Sequence, residues 1–243
     1  MTLLSLESMI GRRILLLSPH PDDVAYSIGG IVAQLCVQAD LLLMTVFGRS
    51  GWACPQTLSR ASANAVAIMR QQEDLAYCER RRMNYTGLAC PDSFLMGYDE
   101  VKELSAAAAD DPRTADIVKL IGESVARLAP HFLLAPCGVG GHVDHRIVRI
   151  ATDALDRVEV LYYEDVPYSA SLPLAELDRQ LTAQGLVPAL TADIEIVLEG
   201  KCEDMWSYLS QTGAWTVAEM LRHASRVGAG NARYAERLWR RAN

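Results

Sequence analysis

Two unbroken apolar runs, Ile14-Leu15-Leu16-Leu17 and Leu41-Leu42-Leu43-Met44, stand about one helix length apart near the start of this 243-residue chain. A strand wetted on one face alternates apolar and polar side chains. A strand covered on both faces reads as a continuous apolar run. Between the two runs, Val24–Gln38 carries apolar residues at helical spacing, with Gly29-Gly30 as a soft spot. Buried strand, helix, buried strand is the repeating unit of a parallel sheet with helices on both faces.

The alternation continues. Strands are expected at Ile14–Ser18 and Asp40–Phe47, then a turn-rich stretch Gly48–Pro55 and a helix over about Ser59–Arg82. A short strand Tyr85–Ala89 and a loop Pro91–Tyr98 precede two helical patches, Glu100–Ala109 and Ala115–Ala129. A strand His131–Ala135, a helix Val143–Leu155 and a strand Val158–Tyr163 come next. The tail reads as a helix Leu174–Gln184, a strand Ile194–Leu198 and two more helices. The expectation is one α/β domain over residues 1–243. Its architecture is Rossmann-like, a mostly parallel sheet with helices on both faces, without internal repeat or low-complexity linker.

Composition narrows the function classes. Half the residues are apolar and 22% are charged, as in an ordinary globular protein. A net charge of −7 argues against nucleic-acid binding, which needs a basic face. Arg80-Arg81-Arg82 reads as a solvated helix face. The six cysteines form no Cys-x-x-Cys pair, so a thiolate zinc site is not expected, and Cys137 reads as a buried structural thiol. The first residues lack a basic segment followed by a long apolar stretch, so neither a signal peptide nor a membrane span is expected. A reducing cytoplasm is the corresponding compartment.

Chemistry concentrates in two places. Ser18-Pro19-His20-Pro21-Asp22-Asp23 directly follows the first strand, and His142-Val143-Asp144-His145 follows a later one. Open α/β sheets bind ligands at the carboxyl ends of their strands. Zinc takes imidazole nitrogen and carboxylate oxygen. Taken alone, the first box also fits a helix N-cap and the second a surface helix. Together, after two strands, they point to a mononuclear metal site with its own acid and base. Asp22 and Asp23 are adjacent, so their side chains diverge: one can bind metal while the other faces the attacking water. His142 precedes His145 by three residues and is expected on nearly the same helix face. Asp144 is expected to hold His142 in the required tautomer. His131 and His223 read as structural.

With these boxes the chain resembles the LmbE-like, or PIG-L, family of zinc-dependent N-acetylglucosaminyl deacetylases. Arg70-Gln71-Gln72-Glu73 is similar to the family's Arg-x-x-Glu helix. Lys201 to Gln211, ending Tyr208-Leu209-Ser210-Gln211, is similar to its late Lys–Tyr-x-Ser-Gln segment. The resemblance runs from about Ile14 to Gln211. It implies Zn2+ held by His20, Asp23 and His145, although this donor set also suits iron or manganese. It implies Asp22 as the base. His142 would then steady the oxyanion and protonate the leaving amine. It also implies substrate contacts from Arg70 and Asp92; a surface salt bridge and a turn residue are the respective alternatives. Tyr162 to Tyr168 fits either a sugar-stacking rim or core packing.

Two departures from the family pattern stand out. Val24 replaces a common Glu, and Phe47-Gly48-Arg49-Ser50-Gly51-Trp52 replaces a sugar-contacting turn. Arg49 and Trp52 are therefore expected to face the pocket and hold the part of the substrate remote from the acetamide; a surface turn is the alternative. The implied activity is zinc-dependent removal of an acetyl group from an N-acetylated amino sugar or sugar conjugate. The partner would be that small molecule, with no nucleic acid and no membrane, and a homo-oligomer is left open. Two other readings remain at this stage. One is a zinc amidase acting on a larger acyl or thioether-conjugate amide. The other is a non-catalytic α/β protein that holds a sugar or nucleotide; against it, no Gly-x-Gly-x-x-Gly follows the first strand.

Overall fold

Ile14 to Leu17 are apolar without interruption because both of their faces are covered. Ile14 and Leu16 point into one hydrophobic cluster, Leu15 and Leu17 into another on the opposite side of the sheet. This is seen in a computed structural model that describes residues 4–54, 61–98 and 107–242.

The sheet has seven strands: β1 (Arg13–Ser18), β2 (Asp40–Thr45), β3 (Asn84–Gly87), β4 (Phe132–Pro136), β5 (Glu159–Tyr163), β6 (Leu186–Asp193) and β7 (Ala235–Arg241). Their order is β3-β2-β1-β4-β5-β7-β6. The first five pair in parallel. β7 runs antiparallel to both β5 and β6. The chain order reverses between β1 and β4, which opens a crevice at their carboxyl ends. Both histidine boxes leave the sheet there.

The helices are α1 (Asp23–Leu35), α2 (Ala63–Arg81), α3 (Thr114–Leu128), α4 (Val143–Asp153), α5 (Leu174–Ala183), α6 (Leu198–Trp206) and α7 (Ala214–Gly228). Tyr26, Tyr77, Met205 and Met220 pack one face of the sheet, and Ile121, Ile147 and Leu181 the other. The α2 helix starts on a Ser62 cap whose Oγ accepts from Ala65 N at 3.2 Å. Arg80 and Arg81 do not form a free solvated face. They pair with Glu203 at 3.1 Å and Asp204 at 2.6 Å and tie α2 to α6. The expected helix at Glu100–Ala109 falls mostly outside the described residues.

The tail departs from expectation. The strand lies at Leu186–Asp193, not at Ile194–Leu198, where a single 3-10 turn leads into α6. Pro188 is tolerated because β6 is an edge strand and its register shifts there. After the two helices the chain ends in β7, which the sequence hides. Glu236 and Arg237 look like surface residues, yet both are compensated inside: Lys201 Nζ reaches Glu236 at 2.5 Å, and Arg237 Nε donates to Glu164 at 2.7 Å. His223 is structural, with Nε2 2.6 Å from Glu164. His131 Nδ1 accepts from Arg13 N at 3.1 Å. Cys137 is buried, and the six cysteines are free. No helix among the described residues is long and apolar enough to cross a membrane.

Candidate active site

The first box turns sharply from strand to helix. Ser18 Oγ donates to His20 O at 2.6 Å and accepts from Val24 N at 3.3 Å. Asp23 Oδ2 accepts from His20 N at 2.7 Å. Asp22 stands at the N-cap of α1 but makes no capping bond with its side chain. The capping alternative therefore fails for it. Its backbone has φ 107°, a left-handed conformation that strains a non-glycine residue by about 1–3 kcal/mol. Strain of that kind is kept where a side chain must be aimed. Here the Asp22 carboxylate faces a cavity of about 580 Å3.

The second box enters from β4. His142 is not on the helix face of His145; it is the N-cap of α4. Its Nδ1 accepts from Asp144 N at 3.2 Å. That bond puts the imidazole proton on Nε2. Burial, helped by His20 and His145, holds the His142 pKa down near 3, so its ring is neutral.

His20, Asp23 and His145 converge. Their ligand atoms lie within 4.8 Å of one another. His145 Nδ1–H donates to Asp165 Oδ1 at 2.7 Å, and Asp165 Oδ2 is held by Val139 N at 2.9 Å. This leaves His145 Nε2 as a bare lone pair. That atom is buried and unpartnered, 3.4 Å from Asp23 Oδ1. Burial alone would lower the His20 pKa, but Asp144 and Asp23 outweigh it and raise it to about 10. A buried nest of carboxylates around two imidazoles favours a cation. The three residues thus fit a divalent metal. A second set, His20, His142 and Asp144, meets the same distance. Its members are already engaged: Arg113 Nη1 forms an ion pair with Asp144 Oδ1 at 2.8 Å, and His142 Nδ1 is taken by the backbone.

Asp144 holds His142 through its backbone N–H and not, as expected, through its carboxylate. Its Oδ2 lies 2.9 Å from His20 Nε2 and accepts from Ser93 N at 2.9 Å. Because α4 begins at Val143, the Asp144 side chain turns inward behind His20. Sequence reasoning also missed Arg113, which clamps Asp111 with bonds of 2.8 and 2.9 Å and stacks 5.1 Å over Phe47. Nothing in the local sequence marks it. Asp165 was legible in part, since it follows β5 on the same rim.

The remaining expectations divide. Arg70 is buried rather than salt-bridged at the surface: it donates to Ser50 Oγ at 3.2 Å and Pro21 O at 3.0 Å, and lies 3.8 Å from Asp22. It lines the cavity, as do Asp92 and Trp52. Arg49 is exposed and outside that lining; its backbone bridges to Pro91 instead. Tyr162 and Tyr163 are core, whereas Tyr168 reaches the cavity and meets the His145 ring edge-on at 5.5 Å. A side chain at position 140 would collide with Tyr168, so Gly140, with φ 87°, admits that ring. The two weaker motifs bind each other. Glu73 accepts from Ser210 N at 2.7 Å and Oγ at 2.5 Å, and Asp74 accepts from Tyr208 OH at 3.0 Å.

Comparison with known proteins agrees with this arrangement. The family model for PIG-L, the GlcNAc-PI de-N-acetylase family, matches residues 15–155. A 2'-N-acetylparomamine deacetylase of Streptomyces fradiae is 40% identical over 93% of this chain and 89% of its own length. Two solved structures share the fold. The zinc-inhibited form of teicoplanin deacetylase has TM-score 0.72 and 21% identity, covering 95% of this chain and 99% of that one. An A40926 pseudoaglycone deacetylase has TM-score 0.69 and 23% identity, covering 96% and 99%. The chain belongs to the PIG-L family and is an N-deacetylase, a hydrolase of amide carbon–nitrogen bonds.

Proposed function

We propose that this chain removes the acetyl group from an N-acetylated amino sugar carried in an aminoglycoside-type conjugate, with zinc as its metal. The observation that carries the reading is the convergence of His20, Asp23 and buried His145 beside Asp22, with His20, Asp22 and Asp23 lining the 580 Å3 cavity. The likeness to a deacetylase of 2'-N-acetylparomamine supports the substrate class.

His20, Asp23 and His145 would hold the metal, which supplies Lewis acidity at the acetamide carbonyl and makes water a nucleophile near neutral pH. Asp22 takes the proton of the attacking water. Burial raises its pKa above the usual carboxylate range, towards the operating pH of a general base. His142 Nε2–H donates to the oxyanion that develops as the carbonyl is attacked. With Nδ1 committed to a backbone N–H, a neutral donor suits His142 better than a general acid. Asp22 can then return its proton to the departing amine. Acetate and the free amine are the products.

The test is incubation of the pure protein with acetylated aminoglycosides, with and without a chelator, following amine release and product mass. Chelator-sensitive loss of one acetyl group is expected. Absence of amine release from every acetamide would sink the reading. Release of a larger acyl group would point to an amidase instead.

A further inference from the structure

Three large aromatic side chains stand half in solvent around the cavity mouth. Trp52 is 48% exposed, Phe94 45% and Trp215 65%. All three line the cavity. They come from three separate segments: the loop after β2, the loop after β3 and the first turn of α7. Rings this exposed add little to the core, yet their backbones are pinned. Trp52 N donates to Ser50 Oγ at 3.1 Å, and Cys54 N donates to Ser210 O at 2.8 Å. Phe94 packs on Gly51, where an added Cβ would come within 2.8 Å of the ring. Thr216, beside Trp215, accepts from Gly213 N at 3.4 Å and closes the start of the helix. Flat rings held on fixed backbone are preorganised for a ligand.

The charges of the lining choose the kind of ligand. Of the lining carboxylates, Asp22 and Asp23 serve the base and the metal, which leaves Asp92 for a further group of the substrate. Among the described residues of the lining, Arg70 is the one Lys or Arg, and its guanidinium is already bonded to Ser50 and Pro21. Among the described residues a phosphate would find no cation there that is not already bonded into the wall. An ammonium would find the Asp92 carboxylate and aromatic faces, which attract cations. A cavity of 580 Å3 falls within the roughly 300–1,000 Å3 typical of drug-sized ligands. Resting on the deacetylase reading, we propose that Trp52, Phe94 and Trp215 form an outer subsite for a second, amine-bearing ring of the substrate. The acetylated ring reaches Asp22, while the second ring stacks at the mouth through its C–H faces and ammonium groups.

The experiment compares kcat/KM on 2'-N-acetylparomamine, which has two rings, with N-acetylglucosamine, which has one. The zinc-loaded wild type should prefer the two-ring substrate at least tenfold. Trp52→Ala and Trp215→Ala should each lower kcat/KM on it by about tenfold and leave the one-ring substrate unchanged. Trp→Phe at either position should recover most of the loss. Acetylating the remote amines should weaken the two-ring substrate, and UDP-N-acetylglucosamine should do no better than N-acetylglucosamine. Equal losses on both substrates, or none, would overturn the subsite, as would a preference for the phosphate-bearing sugar. If the wild type releases no amine, the deacetylase reading fails by itself. The subsite is then judged by calorimetry with paromamine against glucosamine: a Kd weakened about tenfold for paromamine alone in Trp215→Ala supports it, and equal Kd values refute it.

Discussion

Asp165 Oδ1 lies 2.7 Å from His145 Nδ1 and fixes which nitrogen of that ring carries the proton. Without it His145 could present N–H where a lone pair is needed. Carboxylates in this position typically contribute 10- to 100-fold to metal affinity. Asp165→Asn should weaken zinc binding by about that much, read by competition with a chromogenic chelator. Unchanged affinity would deny Asp165 this role.

The adjacent carboxylates should separate cleanly. Asp22→Asn should keep metal and lose about 10²–10⁴ in kcat, because an amide cannot take the proton of water. Asp23→Asn and His145→Ala should lose metal, measured by elemental analysis. If Asp22→Asn loses metal while Asp23→Asn holds it, the assignment is reversed.

Backbone strain at Asp22 gives a second handle on that residue. Asp22→Gly should be inactive, yet about 1 kcal/mol more stable than Asp22→Ala, since glycine accepts φ 107° freely. Denaturant midpoints decide this. Equal stabilities would mean that the strain is relieved elsewhere.

His142→Ala should lower kcat by about 10²–10³ with metal content intact, the loss expected when one oxyanion donor is removed. A fall in metal content instead would move His142 into the ligand set.

Asp74 is buried under Thr45 and Tyr208. Burial pushes its carboxyl up to about 7, although both hydroxyl bonds and Arg70 pull the other way. The folded chain therefore keeps a proton there that the unfolded chain gives up near 3.9. Native protons in excess mean that stability falls as pH rises. The contribution is complete below about pH 4 and lost by about pH 7. Asp74→Asn should flatten stability against pH across that window, tested by urea midpoints at intervals. An unchanged slope would mean that Asp74 is already ionised at the acid end.

How much of this was legible depended on how far each signal reached along the chain. By itself the sequence determined the two-faced burial of Ile14–Leu17, the strand–helix alternation of the described residues through Tyr163 and the two boxes at strand ends. All of these rest on local periodicity, and neighbouring residues cannot avoid it. Tertiary structure decided what depends on distant partners. The segment Ala235–Arg241 becomes an interior strand with Glu236 and Arg237 neutralised by the distant Lys201 and Glu164. The Asp144 carboxylate serves His20 rather than His142, because the fold brings β1 and α4 to one rim and places Ser93 and Arg113 behind them. Trp52 reaches the cavity while Arg49, three residues earlier, spends its backbone on Pro91 and leaves its side chain outside. A spacing fixes where a side chain starts, but only packing against remote elements fixes what it faces.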